Sequence, residues 1–243
     1  MLAAVCLALL AFPGRTDDAL ALMVPGPDFG RGTLVNVSLG AHPNTPLDPG
    51  KPTFVIVHGL NPLHPLMHFE VGERYGDALR ARYGNLCNVA LWNWNGVTTH
   101  GLSHARVHHR AIEQGERLAE TLLAMRIDRS RLALIGQSAG CVLVASAARR
   151  LTRRGGAPVR QLTMIDPAWQ EHELIFEQIQ AGSCAWIVEN LWVPGASGFG
   201  APAYYANVRN FEIPGPNGLY GLLNFSESDH LHAVSWHIRW LTQ

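Results

Sequence analysis

Arg131-Leu132-Ala133-Leu134-Ile135-Gly136-Gln137-Ser138-Ala139-Gly140-Cys141-Val142-Leu143-Val144-Ala145-Ser146-Ala147-Ala148 is the stretch that decides the fold. Its first five residues read as a short buried strand, and Cys141 to Ala148 read as a helix that runs on toward Gly155-Gly156. The five residues between them fit the pattern G-x-S-x-G in its strand-turn-helix setting. A strand that turns directly into a helix holds its central residue in strained backbone. Neighbouring turns must therefore approach without β-carbons, which the two glycines and the small Ala139 permit. A serine at the apex of such a turn is a candidate nucleophile, here Ser138. Cys141 is expected to pack beneath the helix as a small apolar group.

Working outward, residues 32–39 alternate enough for an outer strand, and a loop rich in Pro, Asn, Asp and Gly follows to Pro52. Thr53-Phe54-Val55-Ile56-Val57 is β-branched and nearly all apolar, the pattern of a central parallel strand covered on both faces. It ends in His58-Gly59-Leu60-Asn61. Residues 67–83 have helical spacing, 86–94 are strand-like and 103–125 form a long polar-faced helix. Beyond the Ser138 helix, 159–165 is another apolar strand, stopping at Asp166-Pro167. The spans 186–193 and 207–213 read as the last strands, and 231–241 as a C-terminal helix, joined by Gly- and Pro-rich connections. Strands alternating with helices predict an α/β fold, a mostly parallel central sheet with helices on both faces and right-handed crossovers.

With 243 residues and 47% hydrophobic content, the chain can bury one full core. No repeat or linker interrupts it, so residues 22–243 are expected to form a single domain. The formal net charge of +0 supplies no basic field for nucleic acid. Arg149, Arg150, Arg153 and Arg154 read as the solvated end of the Ser138 helix, where cations complement the negative terminus. The apolar run 2–12 is too short to span a bilayer but suits a signal-peptide core, with Ala19-Leu20-Ala21 as a cleavage site after a leader of residues 1–21. That expectation makes the mature chain secreted or periplasmic, without a transmembrane span. Without the leader the chain would be cytoplasmic. Removing it leaves Cys87, Cys141 and Cys184, of which at most one pair can form, with Cys87 and Cys184 the expected partners.

A serine hydroxyl needs a base to take its proton, the base needs an orienting carboxylate, and the tetrahedral oxyanion needs preorganised donors. Ser138, Asp166 and a C-terminal histidine occur in the chain order of an α/β-hydrolase, and the first two fall at the carboxyl ends of strands, where ligand groups gather. Three segments carry a closer resemblance. Thr53 to Gly59 resembles the apolar strand and His-Gly turn of lipases, and Gly136 to Gly140 resembles their elbow. Leu162-Thr163-Met164-Ile165-Asp166-Pro167-Ala168 is similar to the Leu-Asp-Pro-Ala acid motif of the pancreatic-lipase-like family. Asn88-Val89-Ala90-Leu91-Trp92-Asn93-Trp94 is similar to that family's Asn-Val-x-x-x-Asp-Trp strand, so the likeness spans roughly residues 53 to 240. Gln137 and Ala139 stand where those lipases usually show His and Leu, so the resemblance points to a small, single-domain, bacterial-type esterase or lipase-like branch.

The resemblance implies Asp166 as the acid, although Asp before Pro also closes strands as an ordinary turn. Glu189 is the alternative acid, one strand later. The base comes from Asp229 to His237. His230 is the first choice because it ends a loop just before the C-terminal helix and resembles the Asn-His-Leu-Arg turn of lipases. His232 is the alternative, and His237 the third candidate. His58 is expected to brace its own turn. The backbone N–H groups of Leu60 and Ala139 are the expected oxyanion donors. His100, His104 and His108 recur at four-residue spacing and could stack on one helical face. Without a His-Glu-x-x-His pattern they read as a polar face, and no metal or cofactor is expected. The expected activity is hydrolysis of a small-molecule carboxylic ester, lipid-like or short in its acyl group, through an acyl-enzyme on Ser138. The same triad would serve a thioesterase or an amidase, and a non-catalytic binding protein of the same fold is the rival class.

Overall fold

The computed structural model describes residues 32–38, 40–41, 44–59, 65–94, 104–194, 199–215 and 226–243, the side chains of 65–71, 104 and 226–230 excepted. The expected leader, residues 1–21, lies outside them. Strands are β1 (Thr33–Asn36), β2 (Thr53–Val57), β3 (Asn88–Asn93), β4 (Leu132–Gln137), β5 (Val159–Ile165), β6 (Ala185–Trp192) and β7 (Val208–Glu212). Helices are α1 (Pro65–Tyr83), α2 (His104–Ala124), α3 (Ala139–Gly155), the short α4 (Trp169–His172) and α5 (Ser226–Thr242); α4 widens directly into a π-helical turn, Glu173–Gln178. The strands form one sheet in the order β1-β3-β2-β4-β5-β6-β7. β1 runs antiparallel to β3, and every other pairing is parallel.

Strand alternation divides the core into two layers. In β2, Val55 and Val57 face one hydrophobic cluster while Ile56 faces the other. Leu134 and Ile135 divide β4 in the same way, and Met164 and Ile165 divide β5. The first layer is covered by α2 and α3, through residues such as Leu118, Leu122, Val144 and Leu151. The second is covered by α1 and α5, through Tyr75, Leu79, Val234 and Ile238. A period of two in the strands thus meets helical stripes on both sides, which explains why the central strands are almost uniformly apolar.

Two sequence expectations need correction. The C-terminal helix starts at Ser226 rather than near Leu231, so the backbone of His230 lies inside α5 and not in a loop before it. Ser226, Glu227, Ser228 and Asp229 lack apolar periodicity, yet Ser and acidic residues suit a helix N-terminus. The other concerns the disulfide: Cys87, Cys141 and Cys184 are all free and buried. Cys87 precedes β3 and Cys184 precedes β6, and these strands are four spacings apart in the sheet, roughly 19 Å. A disulfide needs its Cα atoms within about 7 Å.

Candidate active site

Ser138 occupies the one-residue junction between β4 and α3, with φ 50° and ψ −130°. A non-glycine residue there costs on the order of 1–3 kcal/mol and persists only when its surroundings over-determine it. Those surroundings are visible. Its N–H donates to Ile165 O at 3.0 Å, and its carbonyl accepts from Cys141 N–H at 2.7 Å. The Cys141 thiol beneath it lies 3.3 Å from Gly136 O, in the expected position, and burial keeps its pKa well above the ordinary value.

The glycines of the motif are explained by contact. A β-carbon on Gly136 would meet Gly140 O at 2.5 Å, and one on Gly140 would meet Val57 O at 2.7 Å and His58 O at 2.6 Å. Helix α3 therefore rests directly on the end of β2. Gly59 closes the other side, where an added β-carbon would lie 2.8 Å from Ser138 Cβ. The turn carrying Gly59 is braced by His58. The ring Nδ1 of His58 bonds Gly59 O at 2.8 Å, Trp94 N–H donates to its Nε2 at 3.4 Å, and the two rings stack at 5.8 Å. Trp94 also donates through Nε1 to His58 O at 2.9 Å. Burial lowers the His58 pKa to about 4, so the imidazole is neutral near pH 7.

Asp166 ends β5 at the same level. Gln137 pairs with Ile165 in the parallel ladder, so Ser138 and Asp166 are the next residues on adjacent strands, about 4.8 Å apart across the sheet. Asp166 is fully buried and, like Ser138, lies in the left-handed region, with φ 49°. Its N–H donates to Leu191 O at 2.7 Å, and its Oδ1 accepts from Val193 N–H at 3.3 Å. Gly200 packs so closely that a β-carbon would sit 2.5 Å from that oxygen. Glu189, the alternative acid, instead lies within β6, opposite Thr163. Its Oε2 accepts from Thr163 Oγ1 at 3.0 Å and Gln161 Nε2 at 2.9 Å, and burial raises its pKa.

The C-terminal histidines separate clearly. His230 is in the first turns of α5, and its side chain lies outside the described residues. His232 directs Nε2 to Pro214 O at 3.1 Å. His237 is buried in the layer between α1 and α5, sharing a 2.9 Å hydrogen bond with Tyr75 OH, and burial lowers its pKa to about 4. Of the two expected oxyanion donors, Leu60 lies outside the described residues. Ala139 opens α3, so its N–H is among the first-turn donors that lack an intrahelical acceptor.

Glu171 escaped the sequence patterns, and His108 was expected only as part of a polar helix face. Glu171 is buried just after the Asp166-Pro167 turn, and His108 points from α2 toward it, with Nε2 3.5 Å from Glu171 Oε1. The spacing of Glu171 three residues after Ala168 was the available signal, but a capping box normally begins with Ser or Thr. His108 thus faces an interhelical carboxylate. Among the described residues no group of three His, Cys, Asp or Glu side chains is arranged to hold a metal ion, and no helix is long and apolar enough to cross a membrane.

The sheet order with its one antiparallel edge, the strained Ser138 junction and the helix pairs on both faces define an α/β-hydrolase fold. No protein-family model matches the sequence, and no curated protein does. Solved structures similar in chain path include an α/β serine hydrolase without a lid from Xanthomonas campestris, at 19% identity and TM-score 0.46, covering 88% of this chain and 96% of that one. The NocB thioesterase domain, in covalent complex with a fluorophosphonate nocardicin G analogue, has 14% identity and TM-score 0.45, covering 88% of this chain and 100% of that one. A hyperthermophilic esterase from Pyrobaculum calidifontis has 13% identity and TM-score 0.45, covering 93% and 90%.

Proposed function

We propose that this chain is a serine hydrolase that cleaves small-molecule carboxylic esters through an acyl-enzyme on Ser138. The observation that carries the proposal is the pair of strained strand ends. Ser138 and Asp166 are adjacent across β4 and β5, both are held at positive φ, and neither conformation is needed to build the sheet. In this scheme Ser138 Oγ attacks the ester carbonyl while His230 accepts its proton, and Asp166 orients the imidazole. The N–H groups of Ala139 and Leu60 stabilise the oxyanion. Collapse of the tetrahedral species expels the alcohol, which takes a proton from His230. His230 then activates water to release the acid and free the serine.

His230 is preferred over His232 because the His232 ring is engaged with Pro214 O, and over His237 because that ring is buried against Tyr75. Asp166 is preferred over Glu189 because Glu189 lies inside its strand with its carboxylate held by Thr163 and Gln161. Turnover of a p-nitrophenyl ester series tests the scheme. Ser138→Ala should lower kcat by about 10⁴-fold or more with the fold retained by circular dichroism. Unchanged turnover would show that Ser138 is not the nucleophile.

A further inference from the structure

Glu171 is 3% exposed, and no step of the proposed reaction uses it. A carboxylate is rarely buried unless paired or hydrogen-bonded, so its partners indicate its purpose. Its Oε2 accepts the Ala168 N–H at 2.8 Å, reaching back over the first turn of α4. Ala168 occupies the N-cap position, where an alanine side chain can accept nothing. The Glu171 carboxylate thus does half the work of a capping box without its reciprocal partner. The Glu171 N–H completes the loop by donating to Ala168 O at 2.8 Å. On its far side, Glu171 Oε1 lies 3.5 Å from Nε2 of His108 on α2, within ion-pair reach but not hydrogen-bonded to it.

Ala168 is two residues beyond Asp166, across Pro167. Asp166 holds a left-handed conformation that an L-residue adopts at a cost of roughly 1–2 kcal/mol, and its own side chain must keep one orientation to steer an imidazole. The turn is gripped from two sides. The connection between β6 and β7 supplies one grip, with Val193 N–H on Asp166 Oδ1 at 3.3 Å, Gly200 N–H on Pro167 O at 3.2 Å, and Phe199 bridged to Ala168. Glu171 and His108 supply the other, from the helical layer. The second grip holds the turn through the Ala168 backbone.

We infer that Glu171, through its bond to the Ala168 N–H and with His108 beside it, is a positioning residue that fixes the Asp166-Pro167-Ala168 turn and so sets the orientation of the Asp166 carboxylate. This inference rests on the assignment of Asp166 as the acid of a Ser138 hydrolase. Displacement of a reacting group by about 1 Å can lower a rate by about 10²-fold, so a loosened turn should act on the chemical step rather than on substrate binding.

The test compares Glu171→Ala, Glu171→Gln and His108→Ala with the wild-type chain, with kcat expressed per active site titrated by a fluorophosphonate. Glu171→Ala is expected to lower kcat about 10- to 100-fold with KM within about twofold. Glu171→Gln, whose amide oxygen can still accept the Ala168 N–H, should recover most of that loss. His108→Ala should fall between them, and it carries the test if Glu171→Ala does not fold. A merely structural role would lower the melting temperature and the number of titratable sites while leaving kcat per site unchanged, and that result overturns the inference. A wild-type chain that neither turns over esters nor reacts with the fluorophosphonate defeats the hydrolase proposal, and this inference with it. Full activity lost in Ser138→Ala but retained in all three variants defeats this inference alone.

Discussion

Replacing Gly59 with alanine is the sharpest probe of how the turn after β2 meets Ser138. The added β-carbon would lie 2.8 Å from Ser138 Cβ, 3.1 Å from Gln137 O and 3.4 Å from Ser138 Oγ. Carbon atoms in contact normally sit about 3.5–4.0 Å apart, so the two segments must separate by roughly 0.7 Å or more. Neither side yields easily. Ser138 Cβ is fixed by a strained junction, and the facing turn is braced by His58 on Trp94. Overpacking of this kind costs about 1–3 kcal/mol, which in a chain of this size lowers Tm by about 2–12 °C. Displacing Ser138 by most of an ångström should also slow its reaction with a fluorophosphonate by about 10²-fold. Scanning calorimetry reads the first effect, and labelling rates followed by mass spectrometry read the second. A Gly59→Ala protein that melts and labels like the wild type would refute the close approach of these two turns.

Asp166→Asn keeps the shape of the acid but removes its charge, and should lower kcat by about 10⁴-fold with little change in Tm. Acid sensitivity follows from His58 and His237, whose folded pKa values of about 4 lie below the ordinary 6.5 because both are buried. Between those limits the unfolded chain binds more protons, so stability is fully present above pH 6.5 and falls as pH drops toward 4, by on the order of 3 kcal/mol per histidine. Urea unfolding across that range checks the slope, and His237→Phe should flatten it; an unchanged slope would contradict the buried neutral ring. Because Cys87, Cys141 and Cys184 are free thiols, dithiothreitol should leave Tm unchanged. Loss of a native disulfide worth about 2–5 kcal/mol would instead show as a drop of several degrees.

Much of the fold was legible because its central strands are short, apolar and bounded by sharp breaks. Thr53–Val57 and Val159–Ile165 have the limits that the apolar runs suggest, since Pro52 and the His58-Gly59 turn close one and Pro167 stands just beyond the other. The beginning of α5 was hidden because Ser226 to Asp229 show no apolar stripe, although they are good first-turn residues. The cysteine pairing failed for a reason that no spacing along the chain contains: strand order sets lateral distance, and β3 and β6 are not neighbours. Within the candidate site, the strand-end positions of Ser138 and Asp166 were legible because each follows an apolar strand in a motif. Glu171 and His108 were not, because their meeting depends on how α2 packs beside α4.

The central claim is that Ser138 is a reactive nucleophile, and the most direct measurement is covalent labelling with a fluorophosphonate, mapped by peptide mass spectrometry. One adduct on Ser138, absent in Ser138→Ala, is the expected result. An unmodified protein, or an adduct on another residue while Ser138 stays free, would contradict it.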